Sequence, residues 1–288
     1  MTTKQVSTVR RRRLGAELRR LREAAGMTLE DAAKILECSD SKISRIETGH
    51  IGIRTLDLRV LLARYGIEPG PRYDALLTLA RESRMRGHWL QKFNDVLTDP
   101  FRDFIRLEED VASMRSYEIQ LVPGLLQTED YARAVIEAGR VLWHSREEID
   151  KFVALRMERQ RVLTKEQPLH LWAILGEAAL RCVVGGPEIM RAQLHRLLEV
   201  HHDLPHVAIQ VLPFSAGPPA GIGGPFVILE FPDPVELDVV YLENLGSNLY
   251  IEDDDEIRRY QRAFDHLRSA ALSPKDSASL IEKVAKEL

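Results

Sequence analysis

Four side chains able to form hydrogen bonds recur at helical spacing in SDSKISRIET, residues 39–48. On a helical wheel of about 100° per residue they share one face: Ser41, Ser44, Arg45 and Thr48. Lys42 lies at the flank of this face and Asp40 in the first turn. Short side chains let a helix approach a surface closely, and an arginine can donate two hydrogen bonds to guanine O6 and N7. The face could therefore read base edges, or it could be a solvated helix face with Ser39 as its N-cap.

Charge is distributed unevenly along the 288 residues, whose formal net charge is −4 at pH 7. Residues 1–66 contain 14 Lys and Arg against 8 Asp and Glu, whereas the rest of the chain contains 26 against 36. A basic end on an acidic body favours a nucleic-acid-binding domain joined to a domain with another role. The two cysteines, Cys38 and Cys182, form no CxxC pair, which argues against disulfides or a zinc site and fits a reducing cytosol.

The elements that must position the hydrogen-bonding face are short helices with tight turns. Apolar residues recur at helical spacing from residue 9 to about 83, which predicts a compact all-α bundle of five helices. Gly26 and Gly49 are predicted to end the first and third helices. Thr28 is predicted to cap the second helix, with Asp31 at its third position in a weak capping box. The candidate face then belongs to the third helix.

Beyond residues 84–96 the sequence changes to mixed α and β texture, which predicts an α+β domain of roughly 180 residues. Periodicity indicates helices at about 101–115, 128–139, 145–165, 187–202 and 253–271. Runs rich in Val, Ile and aromatic residues indicate five strands: YEIQLV, LHLWAIL, VAIQVLPF, FVILEF and DVVYLEN. The stretch SAGPPAGIGGP is interpreted as a turn-forming loop between two of these strands.

The second region shows no pattern typical of an enzyme or a metal site. His195 and His202 share a helix face, but no HExxH motif or cysteine accompanies them, so surface histidines are the preferred interpretation. The glycine-rich stretches lack the Lys-Ser/Thr of a phosphate loop, and GxGxxG and GxSxG are absent from the sequence. The run RMERQRVL, residues 156–163, is interpreted as a charged helix face. We therefore predict no catalytic residue, no metal and no cofactor.

The segment LGAELRRLREAAGMTLEDAAKILECSDSKISRIETG resembles the helix-turn-helix of the XRE family, the phage-repressor-like regulators. The resemblance covers about residues 14–66, and SKISRIETG is especially close to versions common in actinobacteria. It implies that three residues read bases: Asp40, Ser41 and Arg45. It also implies that Lys42 and Ser44 lie nearer the DNA backbone, and that Thr28 meets a phosphate at the start of the second helix.

Two departures from the family pattern change these expectations. Glu37 occupies the turn position that usually holds glycine, so it must adopt an uncommon positive φ or the turn must change shape. The loop HIGIR offers only His50 and Arg54 for backbone contacts, which predicts weaker and less salt-dependent binding. A basic arm could compensate by reaching phosphates or the minor groove, or it could be a solvated disordered tail. The arm contains four consecutive arginines: Arg10, Arg11, Arg12 and Arg13.

Glu47 needs a separate explanation, because it lies only about 40° from Ile43 on the helical wheel, at the buried edge of the third helix. A buried carboxylate requires a partner. We predict that Glu47 pairs with Arg22 of the first helix, an arrangement similar to the Arg and Glu pair of the XRE family.

A second resemblance rests on six collinear motifs: VPGLLQTEDYARAVI, ALRMERQRVL, LGEAALRCVVGGPEIMRAQL, IQVLPF, GGPFVILEF and VVYLEN. They look like the C-terminal domain of a large actinobacterial group of XRE regulators, often described as antitoxin-like. The resemblance spans about residues 100–275. It implies a transcriptional regulator without enzyme activity, commonly encoded beside a small acidic partner protein. The histidine that usually follows LPF is replaced here by SAGPPAGIGGP, so no role tied to that position is carried over.

These observations predict four regions along the chain. They are a basic arm (1–13), a helix-turn-helix domain (14–83), a linker (84–99), and an α+β domain for dimerisation and effector or partner binding (100–288). One recognition helix discriminates too few base pairs against a genome, so we expect a homodimer on an inverted repeat of double-stranded DNA, modulated through the α+β domain. The alternative is an antitoxin that mainly neutralises a small partner protein, with DNA binding for autoregulation. No run of about 18 apolar residues occurs, so we expect a cytoplasmic protein without a membrane span.

Overall fold

The computed structural model describes residues 9–82, 89–93, 95–139, 145–232, 238–244 and 247–288. The chain divides into two compact units, residues 1–92 and residues 93–288. The first unit is helical, and the second combines helices with a six-stranded mixed sheet. The predicted fold class, a five-helix bundle followed by an α+β domain, is confirmed. The predicted linker, 84–99, lies partly outside the described residues, and its described part includes a short 3-10 helix at Trp89–Phe93.

The described part of the first unit contains the helices α1 (Val9–Ala24), α2 (Leu29–Ile35), α3 (Asp40–Glu47), α4 (Thr55–Arg64) and α5 (Pro71–Glu82). The helices enclose one apolar core, to which Leu18 of α1, Ile43 of α3 and Leu58 of α4 belong. Burying one such side chain contributes about 1.5–3 kcal/mol. Since helices of this length are marginal in water by themselves, this shared core is what keeps them folded.

Glycines with positive φ follow three of these helices, α1, α3 and α4, the last at Gly66. Gly26 follows α1 with a φ of 69°, and Gly49 follows α3 with a φ of 72°. A residue with a Cβ adopts this conformation only at a cost, which is why glycine is common just after a helix. The turn after α1 is closed by a hydrogen bond of 3.0 Å from the Met27 N–H to the Arg22 carbonyl oxygen. The helix ends predicted at Gly26 and Gly49 are confirmed.

The second unit alternates helices and strands through much of its length. Its described helices are α6 (Asp99–Asp110), α7 (Glu129–Ala138), α8 (Arg146–Arg159), α9 (Glu177–Arg181), α10 (Pro187–Asp203), α11 (Asp254–Ala270) and α12 (Pro274–Glu287). Its strands are β1 (Ser113–Glu118), β2 (His170–Gly176), β3 (Val207–Leu212), β4 (Phe226–Glu230), β5 (Val239–Asn244) and β6 (Ser247–Ile251). None of the helices within the described ranges is long and apolar enough to cross a membrane.

The six strands form one sheet in the order β3-β2-β1-β4-β5-β6. Strands β1, β2 and β3 run parallel, whereas β4, β5 and β6 are antiparallel to their neighbours. Helix α11 covers one face, where Phe264 and Leu267 pack in a cluster with Tyr117 of β1. Tyr117 is also paired with Phe226 at the start of β4. The carboxyl ends of the three parallel strands therefore lie at the same end of the sheet as the start of β4 and the end of β5.

Strand β3 lies at an edge of the sheet and is covered by the connection between α11 and α12. The Leu272 N–H donates to the Val211 carbonyl oxygen, and the Val211 N–H donates to Ser277 Oγ, both at 2.9 Å. An edge strand with unpaired backbone groups is a template for aggregation. The start of α12 removes that hazard at β3.

The helix predicted at about 101–115 is wrong at its C-terminal end, and the strand predicted for YEIQLV, residues 117–122, is wrong at both ends, since β1 ends at Glu118. Helix α6 ends at Asp110, and β1 begins at Ser113, so residues 113–115 belong to the sheet. Strand β1 pairs with β2 on one side and β4 on the other. Backbone pairing on both edges outweighs the helical spacing of the apolar residues before it.

Val122, which was predicted to lie in the strand, is outside the sheet, and side chains bind its backbone. Its N–H donates to Tyr131 Oη at 3.2 Å, and its carbonyl oxygen accepts from Gln127 Nε2 at 2.6 Å. Gln127 and Tyr131 follow Val122 by five and nine residues, so this segment folds back on itself instead of pairing in the sheet. The elements α9, α12 and β6 were not predicted.

The interpretation of RMERQRVL as a charged helix face is wrong for Arg159. Its guanidinium is buried between α8 and α6 and donates to both oxygens of Glu108, at 2.8 and 2.7 Å. Arg156, one turn earlier, donates to Gln127 Oε1 at 2.9 Å. The same helix face thus holds α6 and the segment after β1 in place.

Glu118 ends β1 on the sheet face opposite α11, because side chains alternate along a strand and Tyr117 faces α11. Burial raises the pKa of Glu118 from its ordinary value of 4.5 to about 7, and the charge of Glu243 adds to the shift. A hydrogen bond of 3.3 Å from Ser116 Oγ acts in the opposite direction. The fold therefore prefers the protonated form of this carboxyl group.

We expect the stability of the second unit to depend on pH through Glu118. The carboxyl group of Glu118 makes its full contribution to the free energy of unfolding below pH 4.5, its pKa in the unfolded chain. This contribution is lost as pH rises to about 7, because ionising the buried group destabilises the folded state. Glu118→Gln mimics the protonated form, so it should raise the melting temperature at pH 8 and change it little at pH 4. Thermal unfolding by circular dichroism checks this, with Glu166→Gln, an exposed residue, as the control. Equal shifts at the two pH values would contradict the assignment.

Candidate nucleic-acid interface

The candidate interface begins with α2, whose first turn is fixed by Thr28. Thr28 Oγ1 accepts from the Asp31 N–H at 3.2 Å, and Asp31 Oδ2 accepts from the Thr28 N–H at 2.9 Å. The hydrogen bonds from the backbone and then the side chain of Thr28 lower the pKa of Asp31. The ionised Asp31 repels a phosphate at this end of α2, so any contact at Thr28 must overcome that repulsion.

Helix α3 turns one face to the core and the other to solvent. Its first turn is capped by Ser39, whose Oγ accepts from the Lys42 N–H at 3.3 Å. Ile43 and Ile46 are buried, with exposed fractions of 1% and 3%. The three residues proposed as base readers are exposed: Asp40, Ser41 and Arg45. The structure thus brings these three side chains together on the solvent side of one helix.

The cations near this face differ in what already binds them. Within the described residues, Lys42 and Arg45 form no ion pair. By contrast, Arg54 donates to both oxygens of Asp57, at 3.0 and 2.9 Å. A phosphate at Arg54 must therefore share the guanidinium with a carboxylate. Arg45 keeps its five N–H donors for an external acceptor.

The hydroxyl of Thr48 is used within the protein. Its Oγ1 donates to the Ser44 carbonyl oxygen at 2.7 Å and lies 2.8 Å from His50 Nδ1. Ser44 itself is half-buried. The part of the face that remains open for contacts therefore centres on Ser41 and Arg45, with Ser44 at its edge.

Helix α3 crosses α1 at a glycine. A Cβ atom on Gly15 would come within 2.4 Å of the Glu47 carbonyl oxygen and 2.5 Å of the Ile46 carbonyl oxygen. Any other residue would push the two helices apart, because cores are close-packed. An isolated glycine inside a helical pattern signals such a close approach. Gly15, which lets α3 lie close to α1, was not singled out in the sequence analysis.

A buried ion pair fixes α3 to the start of the domain. Arg22 Nε donates to Glu47 Oε1 at 2.7 Å, and Arg22 Nη2 donates to Glu47 Oε2 at 3.0 Å. Both side chains are nearly inaccessible, with exposed fractions of 8% and 6%. Arg22 Nη1 also donates to the Met27 carbonyl oxygen at 2.7 Å. One guanidinium therefore ties α1, the turn before α2, and α3 together.

The arginines assigned to an N-terminal arm lie in α1, which begins at Val9. Three of them are half-buried and none of these three lacks an interaction partner: Arg11, Arg12 and Arg13. The side chain of Arg10 lies outside the described part of the structure. The separate arm was predicted over residues 1–13, of which residues 1–8 lie outside the described part of the structure. Residues 9–13 instead form the first turns of a helix, since Leu14 and Leu18 anchor this segment in the core.

Glu37 lies in the turn between α2 and α3 with a φ of 49°. Of the two outcomes expected for this residue, the structure therefore has the positive φ. The neighbouring backbone is hydrogen-bonded, with the Cys38 N–H donating to the Ala33 carbonyl oxygen at 3.0 Å. The turn between α2 and α3 therefore contains a residue with a strained backbone conformation.

Comparisons with known families divide the chain at the same place as its geometry. Residues 13–76 match the family described as "Helix-turn-helix domain". The protein therefore carries a helix-turn-helix DNA-binding domain at this end, with α3 in the position of the recognition helix. Residues 101–283 match the family described as "Domain of unknown function (DUF5753)", and this match covers more than half of the chain. The chain belongs to the DUF5753 family. Neither the curated proteins nor the solved structures contain a match to it.

We expect Glu37→Gly to stabilise the first unit. Glycine adopts positive φ without the steric cost of a Cβ, so the free energy of unfolding should rise by about 0.5–1 kcal/mol. Glu37→Ala is the matched control, because it removes the carboxylate but keeps the Cβ and should give no such gain. Urea denaturation of the three proteins measures the difference. An equal gain in both variants would mean that charge, not backbone strain, is relieved.

We expect Glu47→Ala to destabilise the first unit by about 3–5 kcal/mol, because it leaves the Arg22 guanidinium buried without its partner. Urea denaturation followed by circular dichroism measures the loss. Replacing both partners by apolar residues, Arg22→Met with Glu47→Leu, should be much milder than the single change. A loss below about 1 kcal/mol in Glu47→Ala, the size expected for an exposed pair, would show that the pair is not a structural link.

Proposed function

We propose that the protein is a sequence-specific DNA-binding transcriptional regulator of the XRE type that acts without enzymatic chemistry or a cofactor. The observation that carries the proposal is the state of Arg45. It lies exposed on α3, no ion pair engages it within the described residues, and small or polar side chains surround it. Such a face fits the major groove, where a guanidinium can bind guanine O6 and N7.

The proposal gives the polar residues of α3 two roles. Asp40, Ser41 and Arg45 read base edges, and Lys42 and Ser44 contact the DNA backbone at its flank. Thr28 contributes a weaker backbone contact because Asp31 is ionised beside it. Arg54 contributes to the extent that a phosphate displaces Asp57. Since Arg11, Arg12 and Arg13 already have partners, we leave them out of the direct interface.

The second unit is proposed to form a dimer, because one recognition helix contacts too few base pairs to be specific. One helix contacts a few base pairs, and each good contact discriminates by about 1–3 kcal/mol, which is too little against a genome of competing sites. Two helix-turn-helix domains bound to an inverted repeat double the free energy that separates the operator from other sites. We propose that the α+β unit holds two chains together and spaces the two α3 helices by about one turn of DNA or a multiple of it. The same unit is proposed to pass on the signal that modulates binding.

Selection from a random pool of double-stranded DNA tests this function, because the pool contains every candidate operator of a given length. The full-length protein should enrich one motif with dyad symmetry, whose half-sites lie about 10 base pairs apart or a multiple of this. Sedimentation of the protein with and without the selected DNA should give two chains per duplex. Failure to enrich any motif would reject sequence-specific binding, and enrichment of a single half-site would reject the dimer.

Arg45→Ala should weaken binding to the selected motif by about 5–150-fold, which corresponds to one bidentate base contact of about 1–3 kcal/mol. Fluorescence anisotropy with the selected and a scrambled duplex measures the loss across a salt series. Arg196→Ala is the control, because it removes one partly exposed arginine from α10 in the other unit. The expected pattern is lost preference for the motif in Arg45→Ala alone. Equal losses on both duplexes would place Arg45 at the backbone and overturn its role as a base reader.

A further inference from the structure

A cavity of about 400 Å³ lies in the second unit, at the end of the sheet where β4 begins and β5 ends. This is also the end at which the parallel strand β1 ends, since Tyr117 of β1 pairs with Phe226 of β4. Three elements form its walls: the segment Ala220–Phe226, the segment Leu242–Asn244, and helix α11. The strands that line the cavity are the antiparallel β4 and β5, and its volume is within the range of small-molecule sites.

The glycine-rich loop SAGPPAGIGGP builds one wall of the cavity. Gly221 lies directly against the sheet, because a Cβ on it would come within 2.4 Å of the Tyr117 ring. Gly223 and Gly224, two and three residues on, line the cavity, and a Cβ on either would meet nothing within 4 Å. The loop is thus held at Gly221 and exposes bare backbone at Gly223 and Gly224. Backbone amides without side chains can approach a ligand closely.

Helix α11 contributes a cation to this cavity. Arg258 and Arg259 are adjacent, but Arg258 donates to Asp255 at 2.6 Å and does not line the cavity. Arg259 does line it, and within the described residues it forms no ion pair. Of the two arginines, therefore, the one that lines the cavity is the one that forms no ion pair within the described residues, although its charge also acts on Asp255. Tyr260, from the same helix, adds a hydroxyl group to the lining.

Apolar and aromatic side chains form one part of the remaining lining, beside Asn244 and the glycine backbone. The rings of Phe226 and Tyr260 meet edge to face with centroids 5.1 Å apart, and Leu242 and Ala263 extend this surface. Leu242 and Tyr260 both pack against the buried cluster under α11. The cavity therefore combines one cation with a preformed apolar wall, a combination that suits a ligand with an anionic end and an apolar body.

Glu243 also borders the cavity, but the strand directs its side chain elsewhere. Side chains alternate along β5, and Tyr241 faces α6, where its ring stacks on Phe104 with centroids 4.2 Å apart. Glu243 therefore faces the α6 side of the sheet, and its charge acts on Arg156 and Arg159 there. The carboxylate does not neutralise Arg259 across the sheet.

We propose that this cavity binds a small organic anion whose carboxylate or phosphate group meets Arg259 and whose apolar body lies against Phe226, Leu242 and Ala263. The proposal gives the second unit a ligand class through which it could modulate DNA binding. The binding step itself does not depend on the proposed regulatory function. Its test therefore measures the ligand alone, with no DNA present.

The probe is 8-anilinonaphthalene-1-sulfonate, an aromatic anion whose fluorescence rises in apolar sites, titrated into the full-length protein. We expect saturable binding at one site. Arg259→Gln should weaken it by about tenfold or more, because a charge-assisted contact is lost. Arg258→Gln, the neighbouring arginine that lies outside the cavity, should leave it unchanged. Circular dichroism of both variants verifies that the fold is retained, as expected for exposed side chains.

Displacement then defines the ligand's head group. Benzoate or phenyl phosphate should compete with the probe, the better competitor showing which anion the site prefers, whereas neutral benzyl alcohol should not. The proposal is overturned by absence of saturable binding, by equal affinity in Arg259→Gln, or by equal loss in the two arginine variants. Displacement by benzyl alcohol as efficiently as by the anions, or by neither anion, would also overturn it. None of these results depends on whether α3 binds DNA, so the ligand-binding proposal and the DNA-binding proposal are tested independently.

Discussion

The first unit depends on a guanidinium that three parts of the chain share. Arg22 contacts Glu47 at the end of α3 and the Met27 carbonyl oxygen before α2, and it belongs to α1. A buried charge must be fully partnered or it destabilises the fold, so this arrangement permits only one placement of α3 relative to α1. Gly15 enforces the same placement by allowing the two backbones to touch. The position of the recognition face follows from these two contacts.

A helix held in this way can present an unpaired cation without losing stability. Some exposed arginines of the first unit are bound to a carboxylate, as Arg54 is to Asp57, whereas Arg59 and Arg64 form no ion pair within the described residues. Arg45 is not so bound within the described residues, and its helix keeps its place through the opposite, buried face. The separation matters for function because a residue that reads bases must be free to change its contacts, while the helix that carries it must stay rigid.

The second unit also contains buried charged groups with partners and, within the described residues, an exposed arginine without an ion pair. Arg159 and Glu108 satisfy each other between α8 and α6, and burial keeps the carboxyl of Glu118 protonated up to about pH 7. At the end of the sheet, Arg259 faces a cavity instead of a carboxylate. Both units thus contain buried, partnered charges that fix elements, and among their exposed cations Arg45 and Arg259 are the ones we assign to ligands.

The sequence by itself determined the helices of the first unit, their caps at Thr28 and Ser39, and the face of α3, because these depend on residues within a few positions of one another. It also determined the fold class of the second unit. Only the tertiary structure decided where β1 begins and ends, since β1 pairs with β2 over Ser113–Glu118 alone. It likewise decided that Arg159 is buried and that Arg11 to Arg13 belong to a helix. Periodicity records which side of an element is apolar, but it does not record which distant group satisfies a charge or a backbone amide.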